Sequence, residues 1–267
     1  MKTLKIECIR AFYSRSLLFA ILAGLAISII HIATSVLPYY PVPLIGAQFM
    51  TPYLFWLGID GASFTNMQFY YLLPLLASIP YADSYYQDYK SGFKKLYLIR
   101  TTKVSYYSSK LLAVMLVGGI SILVPLLFDL AVSAMILPSV LPPHLSYMSY
   151  FSVQYGSEWL GLFFEHPFLY IFIFIGIACA YAAVFAALSY GISFFLKNRF
   201  VVLSAVFLLN LIATIIIPYK WIPFVLMRAS TGMIDHHLFR IITTLLFCLL
   251  IACILIFLGS RRRDVID

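Results

Sequence analysis

An all-helical protein that crosses a membrane six times is the fold class this sequence predicts, and three observations predict it. Of 267 residues, 63% are hydrophobic and only 10% are charged, whereas a soluble domain carries about 25% charged residues. The apolar residues fall into six runs, most of them near the length of about 20 that a helix needs to cross the hydrocarbon core. The basic residues are segregated: fifteen of the eighteen Lys and Arg fall on the side that also holds both ends of the chain, the bias that marks cytoplasmic loops. The net charge of +8 would suggest nucleic acid in a soluble chain. Here it is a topogenic signal, and the expected surroundings are the lipid bilayer, with no nucleic-acid partner. The loops left over are too short for a separate enzyme domain, so 1–267 reads as one transmembrane domain without a nucleotide-binding domain.

Residues 2–15 place Leu4, Cys8, Ala11 and Phe12 on one side of a helix and Thr3, Glu7, Arg10 and Ser14 on the other. That is an interfacial amphipathic helix, not the short n-region of a cleaved signal, so the first span, 17–37, is expected to be retained. The second begins at 69 with a short apolar run and reaches 89 by borrowing Tyr85, Tyr86 and Tyr89, since tyrosine favours the headgroup level. The third covers 111–137 with Pro125 inside it, the fourth 168–196, the fifth 200–217 and the sixth 238–258. Pro38, Pro138, Pro167 and Pro218 mark four of their ends. Loops 38–68 and 138–167 are rich in Tyr, Phe and Pro, carry only the acids Asp60, Glu158 and Glu165, and are predicted to lie on or dip into the outer leaflet. Segment 217–237 mixes Trp221, Pro223 and Phe224 with Lys220 and Arg228 and reads as a re-entrant or interfacial hairpin. Both termini are expected in the cytoplasm of a multi-pass cell-membrane protein, of bacterial plasma-membrane type. Cys8 lies in the basic N-terminal segment and Cys179, Cys248 and Cys253 inside apolar runs, so free thiols are expected.

Little catalytic chemistry is written in the chain. None of the 13 glycines is followed by Lys, so there is no phosphate-cradling loop and any ATP must be handled by a partner. Asp235, His236 and His237 are adjacent and point in different directions, which suits a polar outer loop and not a metal site. Gly191-Ile192-Ser193 offers a serine without a histidine to activate it, and reads as small residues for helix packing. No catalytic or metal-ligating residue is assigned. Two polar residues inside spans are candidates for a substrate path. Asp129, one turn after Pro125, is by default a functional acid, paired or facing a cavity; the alternative is an outer-interface position, because about 20 residues from Leu111 already reach its depth. Asn210 is expected to hydrogen-bond another helix. In the loop after span two, Ser91-Gly92 should break the helix and Thr101 or Thr102 should cap the next one. Between them Phe93, Leu96, Tyr97, Leu98 and Ile99 are too apolar for a solvated basic loop and suggest a protein-contact surface.

Read in order, these features resemble the ABC-2 type permease family, the membrane subunits of ATP-binding-cassette exporters. The resemblance runs nearly the whole length: an amphipathic N-terminal helix with Glu7 and Arg10, six spans with both ends inside, and a loop with Asp88, three residues, Gly92, then Leu96 and Lys110. Ser189-Tyr190-Gly191 followed by Lys197-Asn198-Arg199 is similar to the family's turn between spans four and five. Thr101-Thr102 departs from the Pro that many members place after this segment. The resemblance implies a coupling helix formed by Phe93, Lys94, Lys95, Leu96, Tyr97, Leu98 and Ile99, supported by Asp88, Gly92 and Lys110 and docked on a cytosolic ATPase subunit. It also implies a second permease subunit, identical or different, with ATP and magnesium bound by the ATPase and no cofactor in this chain. The expected function is transport, not enzymatic: outward movement of an amphipathic or hydrophobic peptide, drug or lipid. Rival readings are a non-transport sensor or immunity protein, and a lipid-modifying membrane enzyme, for which Asp83 with Asp88 is the only acid pair near an interface.

Overall fold

The structure, a computed structural model, describes residues 2–42, 49–61, 63–93, 97, 99, 101–142, 153, 157–196, 198–230 and 237–264, with the backbone alone at 2 and 262–264. Its helices are α1 (Lys2–Phe12), α2 (Arg15–His31), α3 (Pro52–Phe55), α4 (Phe64–Ser78), α5 (Ser84–Lys90), α6 (Lys103–Ile136), α7 (Leu160–Glu165), α8 (Pro167–Ile192), α9 (Arg199–Ile216), α10 (Pro223–Leu226) and α11 (Leu238–Asp264). A π-helical turn, Ile32–Val36, and a 3-10 turn, Leu37–Tyr39, prolong α2. No strand occurs among the described residues.

Five of these helices are long and apolar enough to cross a membrane: α2 with its extension, α6, α8, α9 and α11. The expected second span differs. In place of one helix over 69–89, α4 starts five residues earlier, stops at Ser78, and is separated from α5 by turns around Pro80. Proline cannot donate its backbone nitrogen to continue a ladder, and the polar run after Ala82 gains a helix of its own. At 15 residues, α4 is about 22 Å long at the usual rise, which is short for the hydrocarbon core. It nevertheless runs between the two ends of α2: Ser63, its N-cap, meets Ser35 at 3.2 Å, and Pro80, just past its C-terminus, accepts a bond from Ser14.

Side-chain pairs give the relative directions. Thr3 joins Ser105 and Ser109 near the start of α6, and His31 joins Asp129 near its end, so α2 and α6 run parallel. At one end, here called basal, lie α1, α5 and the starts of α2, α6 and α9. The distal end holds α3, α7 and the segment 218–230. Close approach is made by small residues, the usual device where lipid supplies no hydrophobic drive. A Cβ on Gly24 would stand 2.5 Å from the Pro125 ring, and one on Gly118 would stand 2.7 Å from Ala186 Cβ. The small residues around Ser193 also pack: Gly191 lies against Ala252 and Leu255 of α11.

The distal segments pack into the protein. Residues 51–59 and 222–230 are buried and joined by a bond from the Ala229 amide to the Gly58 carbonyl at 3.1 Å. All four cysteines are free.

Candidate functional site

The basal ends of α1, α4, α5 and α6 converge on a buried ion network. Glu7 comes from the inward face of α1, Asp88 from α5 and Lys110 from the second turn of α6; all three are buried. Arg10 donates to Asp88 at 2.8 Å and to Glu7 at 3.2 Å. The Lys110 ammonium touches Asp88, donates to the Ser84 carbonyl at 3.3 Å and lies 3.8 Å from Glu7. Two tyrosines complete the shell: Tyr81 donates to Glu7 at 2.8 Å and Tyr106 to Asp88 at 2.9 Å. Two cations thus face two carboxylates, with hydroxyls on the remaining lone pairs, the condition under which buried charge is tolerated. On α5, burial pushes the Asp88 carboxyl up, but Lys110 and Arg10 outweigh it and hold it below the usual carboxylate range. The network ties three separate stretches of chain to one point.

That point lies directly beneath the predicted coupling segment. Gly92 breaks α5 with a left-handed φ of 74°, a conformation glycine adopts without steric penalty. Thr102 accepts from the Ser105 amide and caps α6. Between them, the Arg10 guanidinium sits 4.7 Å from the Phe93 ring centre and Tyr97 lies 5.3 Å from Tyr106, while Ile99 is exposed. Lys94, Lys95, Leu96 and Leu98 lie outside the described residues. A second ion pair, Arg199 to Asp83 at 2.5 Å, fastens the start of α9 to the N-cap of α5.

Asp129 lies inside the protein, where α2, α6 and the first distal loop meet. It is fully buried, with His31 Nδ1 at 2.8 Å and the Leu57 amide donating at 2.7 Å. His31 Nε2 lies 3.4 Å from Asp60, so one imidazole bridges two carboxylates and pins α2, α6 and the first distal loop together. Of the expected roles, pairing with a donor is the one seen, but the donor is His31 and not Asn210. Asn210 departs from expectation: it is buried, and neither end of its amide has a hydrogen-bond partner among the described residues. It sits in the wall of an apolar cavity of about 430 Å³ between α8, α9 and α11. Of Asp235, His236 and His237, the first two lie outside the described residues. His237 pairs with the exposed Glu158 at 2.7 Å and holds that carboxyl below its usual range. Among the described residues no cluster has the makings of a metal site.

Sequence reasoning singled out Glu7, Arg10, Asp88 and Lys110 but missed Tyr81, Tyr106, the Asp83–Arg199 pair and His31 as the partner of Asp129. Only the tyrosines had a local signal: Tyr106 and Lys110 are one turn apart on one helix face. In comparison with known proteins, the chain matches no family model, no curated protein and no solved structure.

Proposed function

We propose that this chain is the membrane subunit of an ATP-binding-cassette exporter, with α2, α4, α6, α8, α9 and α11 as six crossings and the basal end in the cytoplasm. The observation that carries the reading is the meeting of Glu7, Arg10, Asp88 and Lys110 in one buried network. These residues come from stretches as much as 103 positions apart, and each belongs to the pattern the family resemblance rests on. In this reading, residues 93–99 dock on a separate ATPase, which binds ATP and magnesium. Closure of the ATPase pulls on α5, and the Asp88–Lys110 and Glu7–Lys110 contacts pass the displacement to α6 and α1, so that the spans rock between inward and outward access. A second permease subunit completes the translocation path for an amphipathic or hydrophobic cargo, and Asp129 holds the distal gate together instead of touching cargo. The basic residues then gather on the cytoplasmic side, as orientation requires.

Docking by 93–99 rests on apolar contact more than on charge. If residues 93–99 dock by apolar contact, Leu96→Asp puts a carboxylate into the contact and is expected to abolish ATPase co-purification, whereas Lys94→Gln, which removes only a charge, should cost under about 1 kcal/mol. Pull-down of an ATPase with the tagged chain, with ATP turnover in proteoliposomes, measures both. Equal retention and equal turnover in the two variants would remove the coupling assignment; no ATPase captured by the parent chain would favour a non-transport protein.

A further inference from the structure

Between the basal ends of α2 and α9 runs a groove of about 640 Å³, floored by the end of α4, against which both helices pack. Its mouth carries Arg15, Ser16 and Arg199; deeper in, its walls are Phe19, Leu75 and Leu203. Arg15 and Arg199 are the first residues of two membrane-crossing helices, so the charged mouth lies at the headgroup level and the apolar walls lie within the hydrocarbon.

The two arginines are not equivalent. Arg199 gives Nε to Asp83 and turns Nη2 toward the Ser16 hydroxyl at 3.3 Å, with nearly half of its side chain exposed. Arg15 has no ion pair or hydrogen bond among the described residues and is exposed. Among the described residues Asp83 is the one acid that meets these guanidinium groups, which leaves an excess positive charge at the mouth, reinforced by the positive N-terminal ends of α2 and α9. A guanidinium pair above an apolar channel matches a phosphate joined to acyl chains in both charge and order of polarity.

We infer that this groove binds one anionic phospholipid from the basal leaflet, its phosphate between Arg15 and Arg199 and an acyl chain along Phe19, Leu75 and Leu203. A zwitterionic lipid brings its own cation against Arg15 and is disfavoured. The site does not depend on the permease reading.

The test uses the full chain purified in detergent and loaded with equal amounts of dioleoyl phosphatidylglycerol and dioleoyl phosphatidylcholine, with retained lipid counted by native mass spectrometry. The parent should retain phosphatidylglycerol in preference, and Arg15→Gln should lower that preference roughly five-fold. Because Arg15 holds no other side chain, this variant should fold as the parent does. Lys5→Gln removes an equal charge from exposed α1 and should leave the preference unchanged. Dihexanoyl phosphatidylglycerol should displace the bound lipid, and glycerol phosphate, which lacks chains, should not. The inference is overturned if Arg15→Gln retains lipid like the parent, if Lys5→Gln loses as much, or if glycerol phosphate competes as well as the short-chain lipid.

Discussion

Lys110 has no solvent to fall back on. Its ammonium is buried against Asp88 and within 3.8 Å of Glu7, so Lys110→Met strands carboxylates that water cannot reach. Breaking such a pair from one side typically costs about 3–5 kcal/mol, and thermal unfolding of the detergent-purified variant should fall accordingly. Removing both charges, in Asp88→Asn with Lys110→Met, should restore most of that loss, because a neutral pair needs no counter-ion. If the network is also the lever between residues 93–99 and α6, the double variant keeps its stability and still loses ATPase stimulation. Recovery of both would reduce the network to a structural staple. At this scale Glu7, Arg10, Asp88 and Lys110 drew notice through their order, which resembles that of a known family, and the structure brings the four together. The His31–Asp129 pair was not. The two residues are 98 positions apart, each has an ordinary reading alone, and only the parallel course of α2 and α6 makes them neighbours.

Element boundaries followed local chemistry wherever the signal was local: Gly92 ends α5, and Thr102 opens α6. The orientation of α1 was harder to see. The predicted division of its wheel is not the one seen: Glu7 and Ala11, expected on opposite sides, both face inward, while Phe12, expected beside Ala11, is exposed with Ile6 and Ile9. A wheel shows that faces differ, not which face meets lipid, and in a membrane the apolar face is free to look outward. The second span misled for another reason. Its tyrosines read in sequence as an interfacial extension of one helix, whereas Tyr85 belongs to the separate α5, buried and stacked on Phe194. Packing between elements can be tested at Gly24, where Gly24→Val drives a side chain into Pro125 and should cost about 1–3 kcal/mol or more. Gly176, which has nothing within 4 Å of an added Cβ, should accept valine with little change in melting temperature. Equal losses at both positions would mean that the α2–α6 contact is not tight.

For the whole molecule, the test of orientation is chemical labelling. With the four native cysteines replaced, single cysteines at Ser108 and Gly161, both exposed, report the basal and distal ends. A membrane-impermeant thiol reagent applied to intact cells should label Gly161→Cys and spare Ser108→Cys until the membrane is opened; the reverse pattern inverts the protein. Six crossings were read from hydropathy and charge, and five helices reach spanning length. The buried distal segments 51–59 and 222–230 were the part least accessible to pattern reading, because their residues are apolar enough for a leaflet and polar enough for a loop. Only neighbours such as Tyr170, which donates to the Ala229 carbonyl, decide where they go.

The His31–Asp129 bond also has a history in time. A ribosome adding about 5–20 residues per second delivers Asp129 roughly five to twenty seconds after His31. Glu7 likewise precedes Lys110, by 103 positions. For that interval the first span enters the bilayer carrying an imidazole whose Asp129 partner has not been made, and α1 a carboxylate that has Arg10 but not yet Lys110. The nascent chain must therefore be held at the insertion machinery until the third span arrives. A chain arrested before residue 129 should remain crosslinkable to that machinery through position 31, while one arrested well beyond it should have let go.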